Sequence, residues 1–141
     1  MNATYIRHDR LALVQVGERR LAVLLSDITS YAPAAEQRTV SDAPPWMTGA
    51  LPGRAAGAWL PVIDLARLWD DRSLDGPWSY LVVAECGVAV GIGGFAPTQG
   101  TAPIVPLRPA PGNPALRWAA IVDGQAVPVL DMAELLPASD E

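Results

Sequence analysis

The chain has 141 residues, 50% of them hydrophobic, with ten Lys and Arg against fifteen Asp and Glu and a net charge of −5. That is enough apolar material for one domain with a real core, and the acidic balance, with basic residues scattered, excludes an electropositive nucleic-acid groove. No stretch approaches the roughly eighteen uninterrupted apolar residues of a membrane span. Cys86 is the single cysteine, which excludes an internal disulfide and fits a reducing cytoplasm.

In chain order, residues 1–10 are polar and mixed and read as a loosely held tail, without the apolar centre of a signal peptide. Leu11–Val16 and Leu21–Leu25 are apolar runs around a turn at Gly17-Glu18-Arg19, a β-hairpin covered on both faces, as in a small barrel or sandwich. Ser26–Tyr31 reads as a further short strand or a turn, and residues 32–45, rich in Ala, Pro, Glu and Ser, as a long loop. After Trp46–Leu51 comes Pro52-Gly53, a turn signal. Residues 70–77 are the expected linker between two halves, about 11–70 and 78–136. The second half opens with another hairpin, Tyr80–Ala84 and Val88–Ile92 around Cys86-Gly87. Residues 93–114, dominated by Gly, Pro, Ala and Thr, read as an extended crossing without regular structure. Leu116–Val122 is the next strand, and Asp123-Gly124 is a favoured hairpin dipeptide. Pro137–Glu141 reads as a short acidic tail.

One pattern occurs twice. Leu60-Pro61-Val62-Ile63-Asp64-Leu65 returns sixty-seven positions later as Val127-Pro128-Val129-Leu130-Asp131-Met132. Each copy reads as a short strand followed by an aspartate whose carboxylate caps a helical turn. Glu134, three after Asp131, approximates a capping box. The repeat suggests two similar half-domains, too small to stand alone and therefore sharing packing.

Candidates for chemistry are few. His8 has no metal-ligand partner nearby, and Cys86 has no histidine base. Gly91-Ile92-Gly93-Gly94 lacks the spacing of a dinucleotide loop. Asp70-Asp71 and Asp140-Glu141 read as solvated charge, and Asp64 and Asp131 as caps. The expectation is no enzyme, no cofactor and no metal. Of five tryptophans, Trp59, Trp69 and Trp118 read as core, while Trp46 and Trp78 are either exposed or loop anchors.

The run Gly49-Ala50-Leu51, a Gly-bearing turn ending in Gly57, and Trp59-Leu60-Pro61-Val62-Ile63-Asp64-Leu65 resemble the CheW-like coupling domain of bacterial chemosensory systems. The two hairpins and Val129-Leu130-Asp131-Met132 follow in the family's order, so the resemblance spans about residues 11–136. It implies a single, mainly β domain of two small five-stranded SH3-like barrels around a shared core, with short helices after the repeated motifs. It also implies a non-enzymatic cytoplasmic adaptor that joins the regulatory domain of a CheA-type histidine kinase to a chemoreceptor's cytoplasmic tip, without nucleic acid or membrane insertion. By matching position, the implied contact residues are Ile28, Met47, Gly49, Leu51, Arg54, Gly57, Leu60 and Val62. Ala56 stands where the family usually has arginine, Thr29-Ser30-Tyr31 where it has a glutamate, and Gly93-Gly94 where it has an aspartate, which implies a divergent adaptor with changed partners. The alternative is a small-ligand-binding or structural β-barrel outside signalling, with residues 93–114 lining its pocket.

Overall fold

Tight turns start the sheets. Gly17 (φ 59°) turns β1 into β2, Gly87 (φ 95°) turns β6 into β7, and Asp123 and Gly124 (φ 51° and 77°) form a two-residue link whose twist matches its strands. The computed structural model describes residues 7–53, 57–107 and 113–135, with backbone alone for 94–97. Among them run β1 (Arg7–Val16), β2 (Arg19–Leu24), β3 (Ile28–Pro33), β4 (Met47–Pro52), β5 (Trp59–Ile63), β6 (Tyr80–Ala84), β7 (Ala89–Pro106), β8 (Trp118–Val122) and β9 (Gln125–Val129), with one short helix, α1 (Leu65–Leu68).

The strands form two five-stranded barrels joined by β7. In the first, β1 pairs with β2 and with the C-terminal part of β7, β8 joins β7 and β9, and β9 returns parallel to β2 at Ala22 and Val129. That ring is closed. In the second the order is β3-β6-β7-β5-β4, using the start of β7, with β5 parallel to β7 at Val62 with Ala89 and Ile63 with Val90.

Each barrel takes strands from both halves of the sequence. The hairpin β1–β2 is completed by β7–β9, and the hairpin β6–β7 by β3–β5. The expected halves 11–70 and 78–136 therefore do not coincide with the barrels, because each hairpin finds its partners in the other half. The duplication itself is visible in the pairing. Ala22 and Ala89 are sixty-seven positions apart, as are Val62 and Val129, and the two parallel contacts join Ala22 to Val129 and Ala89 to Val62. A pseudo-twofold relation thus exchanges the hairpins between the repeats.

Period-two alternation then divides the apolar residues among three cores. Leu11, Ala22, Ala102, Ile104, Ala120, Val127 and Val129 fill the first barrel, and Leu51, Val62, Leu81, Val83 and Ala89 the second. Between the barrels lies the largest cluster, which includes Val14, Val16, Ile63, Leu65, Val82, Val90, Leu130 and Met132. Val62 and Ile63 are both 0% exposed, facing different cores. The buried Asp64 carboxylate accepts hydrogen bonds from Ala66 and Arg67 N–H, and Asp131 accepts one from Ala133 N–H. No capping box forms at Asp131, because the Glu134 carboxylate turns to Arg117 instead (3.4 Å).

Three expectations are corrected. Residues 7–10, read as part of a tail, begin β1 and pair with Thr101–Ile104. Most of the crossing at 93–114 is strand: β7 runs to Pro106 with Ala102 and Ile104 inward, an alternation that its prolines obscure. The strand read as Leu116–Val122 starts at Trp118, after a 3-10 turn at Pro114–Leu116. The segment 70–77 is packed: Leu74 is buried, and Ser73 C=O accepts Glu18 N–H at 2.7 Å. Gly17 is required there, since a Cβ on it would lie 2.4 Å from that same oxygen. The acidic tail at 137–141 lies outside the described residues.

Candidate functional site

The β4–β5 hairpin gathers most of the expected contact residues. Met47 faces Ile63 across the pair, Gly49 faces Val62, and Leu51 faces Leu60. Gly57 is exposed in the connection at φ 81°, whereas Arg54 lies outside the described residues. Ile28 stands apart on β3, half-buried against the shared core. Met47 and Leu60 are also half-buried. Val62 is withdrawn from the surface as barrel interior, and Gly49 is buried where a Cβ would meet Arg38 C=O at 2.7 Å. Leu51 is 4% exposed and turns only an edge outward.

That edge borders a cleft of about 500 Å³ at the open end of the second barrel. Thr29, Ser30 and Ala32 line it from β3, Leu51, Pro52 and Gly53 from the end of β4, Leu60 from β5, and Val83 to Glu85 from β6. Glu36 also lines it. Among the described residues, none of the lining comes from 93–114, the segment that the ligand-binding alternative assigned to a pocket.

The cleft exists because one seam is left unzipped. In the first barrel β7 and β8 pair through Ile104 with Ala120, Val105 with Ala119 and Pro106 with Trp118. Their counterparts in the second barrel, β3 and β4, do not pair as strands. Instead the chain leaves β3, makes a 3-10 turn at Ala34–Glu36, and Arg38 exchanges both backbone hydrogen bonds with Ala50. Thr48 Oγ1 adds a hydrogen bond to Gln37 Oε1 at 2.8 Å. A wedge remains between β3 and the end of β4.

Two of the three tryptophans read as core are exposed, Trp59 at 53% and Trp118 at 41%. Trp69 packs on the shared core as expected, and Trp46 and Trp78 pack inward as loop anchors, on the shared core and on the second barrel's core. Residues 59, 61 and 63 share the outer face of β5. The first barrel covers that face only near Ile63, and Trp59 lies roughly 13 Å farther along the strand, beyond the cover. Alternation counted back from Asp64 puts Trp59 on the outer face, but its distance from the neighbouring barrel is a tertiary fact. At Trp118 the Arg7 guanidinium stands 6.0 Å from the ring centroid.

A smaller cleft, lined by Ser26, Asp27, Glu85, Cys86, Met132 and Ala133, separates the barrels beside the first. Burial, and then the Asp131 carboxylate, push the Asp27 carboxyl above its ordinary range. Burial also pushes the Cys86 thiol up, which disfavours the thiolate a nucleophile needs. Among the described residues, no group of three or more His, Cys, Asp or Glu is placed to hold a metal ion, and no helix is long and apolar enough to cross a membrane.

Among solved structures, the chain is similar to the scaffolding protein TtCheW from Thermoanaerobacter tengcongensis, with a TM-score of 0.71 and 14% sequence identity. The match covers 98% of this chain and 94% of that one. The fold is CheW-like. No family model matches the sequence, and no curated protein matches it. In this CheW-like fold the β4–β5 hairpin, its exposed Trp59 and the cleft beside it form one continuous stretch of the second barrel, and this is the candidate site.

Proposed function

We propose that this chain is a non-enzymatic scaffold that joins a CheA-type histidine kinase to chemoreceptors, or to another signalling partner, in chemotaxis or motility control. The observation that carries the reading is the end-to-end structural likeness to a scaffolding protein, over nearly the whole of both chains. The surface supports it: the β4–β5 hairpin offers half-buried Met47 and Leu60 beside an exposed tryptophan, the residue type that most often anchors a protein interface. Because Val62, Gly49 and Leu51 are interior, the contact is assigned to Met47, Pro52, Gly57, Trp59 and Leu60, with Val62 shaping the strand beneath them.

The test is calorimetric titration of the purified chain with the regulatory domain of the CheA-type kinase from the same genome. Saturable binding that Trp59→Ala weakens at least tenfold, with an unchanged melting temperature, supports a kinase-binding hairpin. No heat from a folded sample removes the kinase from the reading.

A further inference from the structure

We propose that the open seam of the second barrel is a strand-addition site, taking an extended peptide segment of alternating side chains with a lysine or arginine at its ends. Three observations meet there. First, β3 has one strand partner, β6, and among the described residues the backbone of 29–32 makes no hydrogen bond on its other side. Such an edge is a template for a further strand. Beyond a register shift between Ile28 and Ser30 it carries little protection before Pro33, being Ile28-Thr29-Ser30-Tyr31-Ala32, without lysine.

Second, that edge faces open space: Thr29, Ser30 and Ala32 line a cleft of about 500 Å³, and the chain after β3 has swung away to meet Ala50 through Arg38. Thr29–Ala32 presents roughly 13 Å of edge, enough for about four residues of an added strand. Third, the lining specifies the guest. Leu51, Leu60, Val83 and Ala32 form an apolar floor for the side chains on one face of an added strand. Among the described residues, the charged groups that line the cleft, Glu36 and Glu85, are both carboxylates, so basic residues flanking the added strand are matched. The proposal does not depend on kinase coupling.

The probe is an acetylated, amidated nine-residue peptide, Lys-Val-Thr-Val-Thr-Val-Thr-Val-Lys. Bound to the full chain, it is expected to slow amide hydrogen exchange at 29–32 and to give a saturable one-to-one isotherm. Methylating one alternate set of peptide nitrogens abolishes binding, and methylating the other set leaves it intact. Replacing both flanking lysines by glutamate, or combining Glu36→Gln with Glu85→Gln in the protein, weakens binding several-fold without moving the melting temperature. Exchange at 29–32 that stays unchanged in a folded sample overturns the proposal. So does equal sensitivity to the two methylation sets, or a dimer in sedimentation whose dissociation releases protection at those amides, which assigns the edge to a second copy.

Discussion

Gly91→Ala puts the packing of the second barrel to a direct test. Gly91 lies on β7 opposite Leu81, and the Trp78 indole rests flat over it: a Cβ built there falls 2.0 Å from Trp78 Cδ2. Ordinary contact begins at 3.4 Å, so the ring must retreat by about 1.4 Å. A fully buried tryptophan loses roughly 4–6 kcal/mol on expulsion, from about 150–250 Å² at 25 cal/mol per Å². Trp78 is half-buried, so the loss is about 2–3 kcal/mol, against which alanine in a strand recovers about 0.5–1 kcal/mol relative to glycine. The net expectation is a destabilisation of about 1–2.5 kcal/mol, read by urea unfolding, or a melting temperature about 4–8 °C lower. In a Trp78→Ala background the same glycine substitution should be neutral or stabilising. A Gly91→Ala variant as stable as the parent, or an identical penalty without the indole, would refute the close stacking of Trp78 on β7.

The shared core sets a second expectation: Ile63→Ala and Leu130→Ala, at matching positions of the two repeats, should each cost about 2–5 kcal/mol in urea titrations. Trp59→Ala, on an exposed face, should stay within about 0.5 kcal/mol. Asp64→Ala should cost about 1 kcal/mol or slightly more and exceed Asp131→Ala, because Asp64 is buried and accepts from two N–H groups. The pH dependence separates two other carboxyls. Asp27 has a folded pKa raised by burial and then by Asp131, so its ionisation opposes folding as pH rises through and beyond the ordinary carboxylate value. Asp27→Asn should therefore stabilise the protein near neutrality and lose that advantage in thermal melts below that value. Asp71 is the opposite case: hydrogen bonds from the Ser73 hydroxyl and N–H hold its pKa down. Asp71→Asn should lower the melting temperature near neutrality, the difference fading as pH falls through the depressed value.

Local chemistry wrote the turns, the two aspartate caps, both hairpins and the duplicated motif into the sequence, since each depends on a few adjacent residues. The hairpin tip of the candidate site was legible for the same reason: Pro52-Gly53 and the motif at 60–65 bracket it. Partner choice between strands was not legible, because Ala22 and Val129 are distant along the chain and nothing local says that β2 will lie beside β9 instead of β5. Nor could alternation assign faces within Val62-Ile63 and Val129-Leu130, where both faces are apolar because both are covered, one by a barrel interior and the other by the shared core. The same limit misplaced Trp59 and Trp118 and left the cleft unseen. Whether an outer-face side chain is buried depends on where the neighbouring barrel ends, and a seam stays open only because the chain after β3 swings away to meet Ala50 through Arg38. The sequence by itself determined both hairpins, their turns, the caps and the repeated motif. The exchange of hairpins between repeats, the burial of Val62, the exposure of Trp59 and the open edge of β3 were decided by tertiary packing, because each is a relation between residues that no local pattern connects.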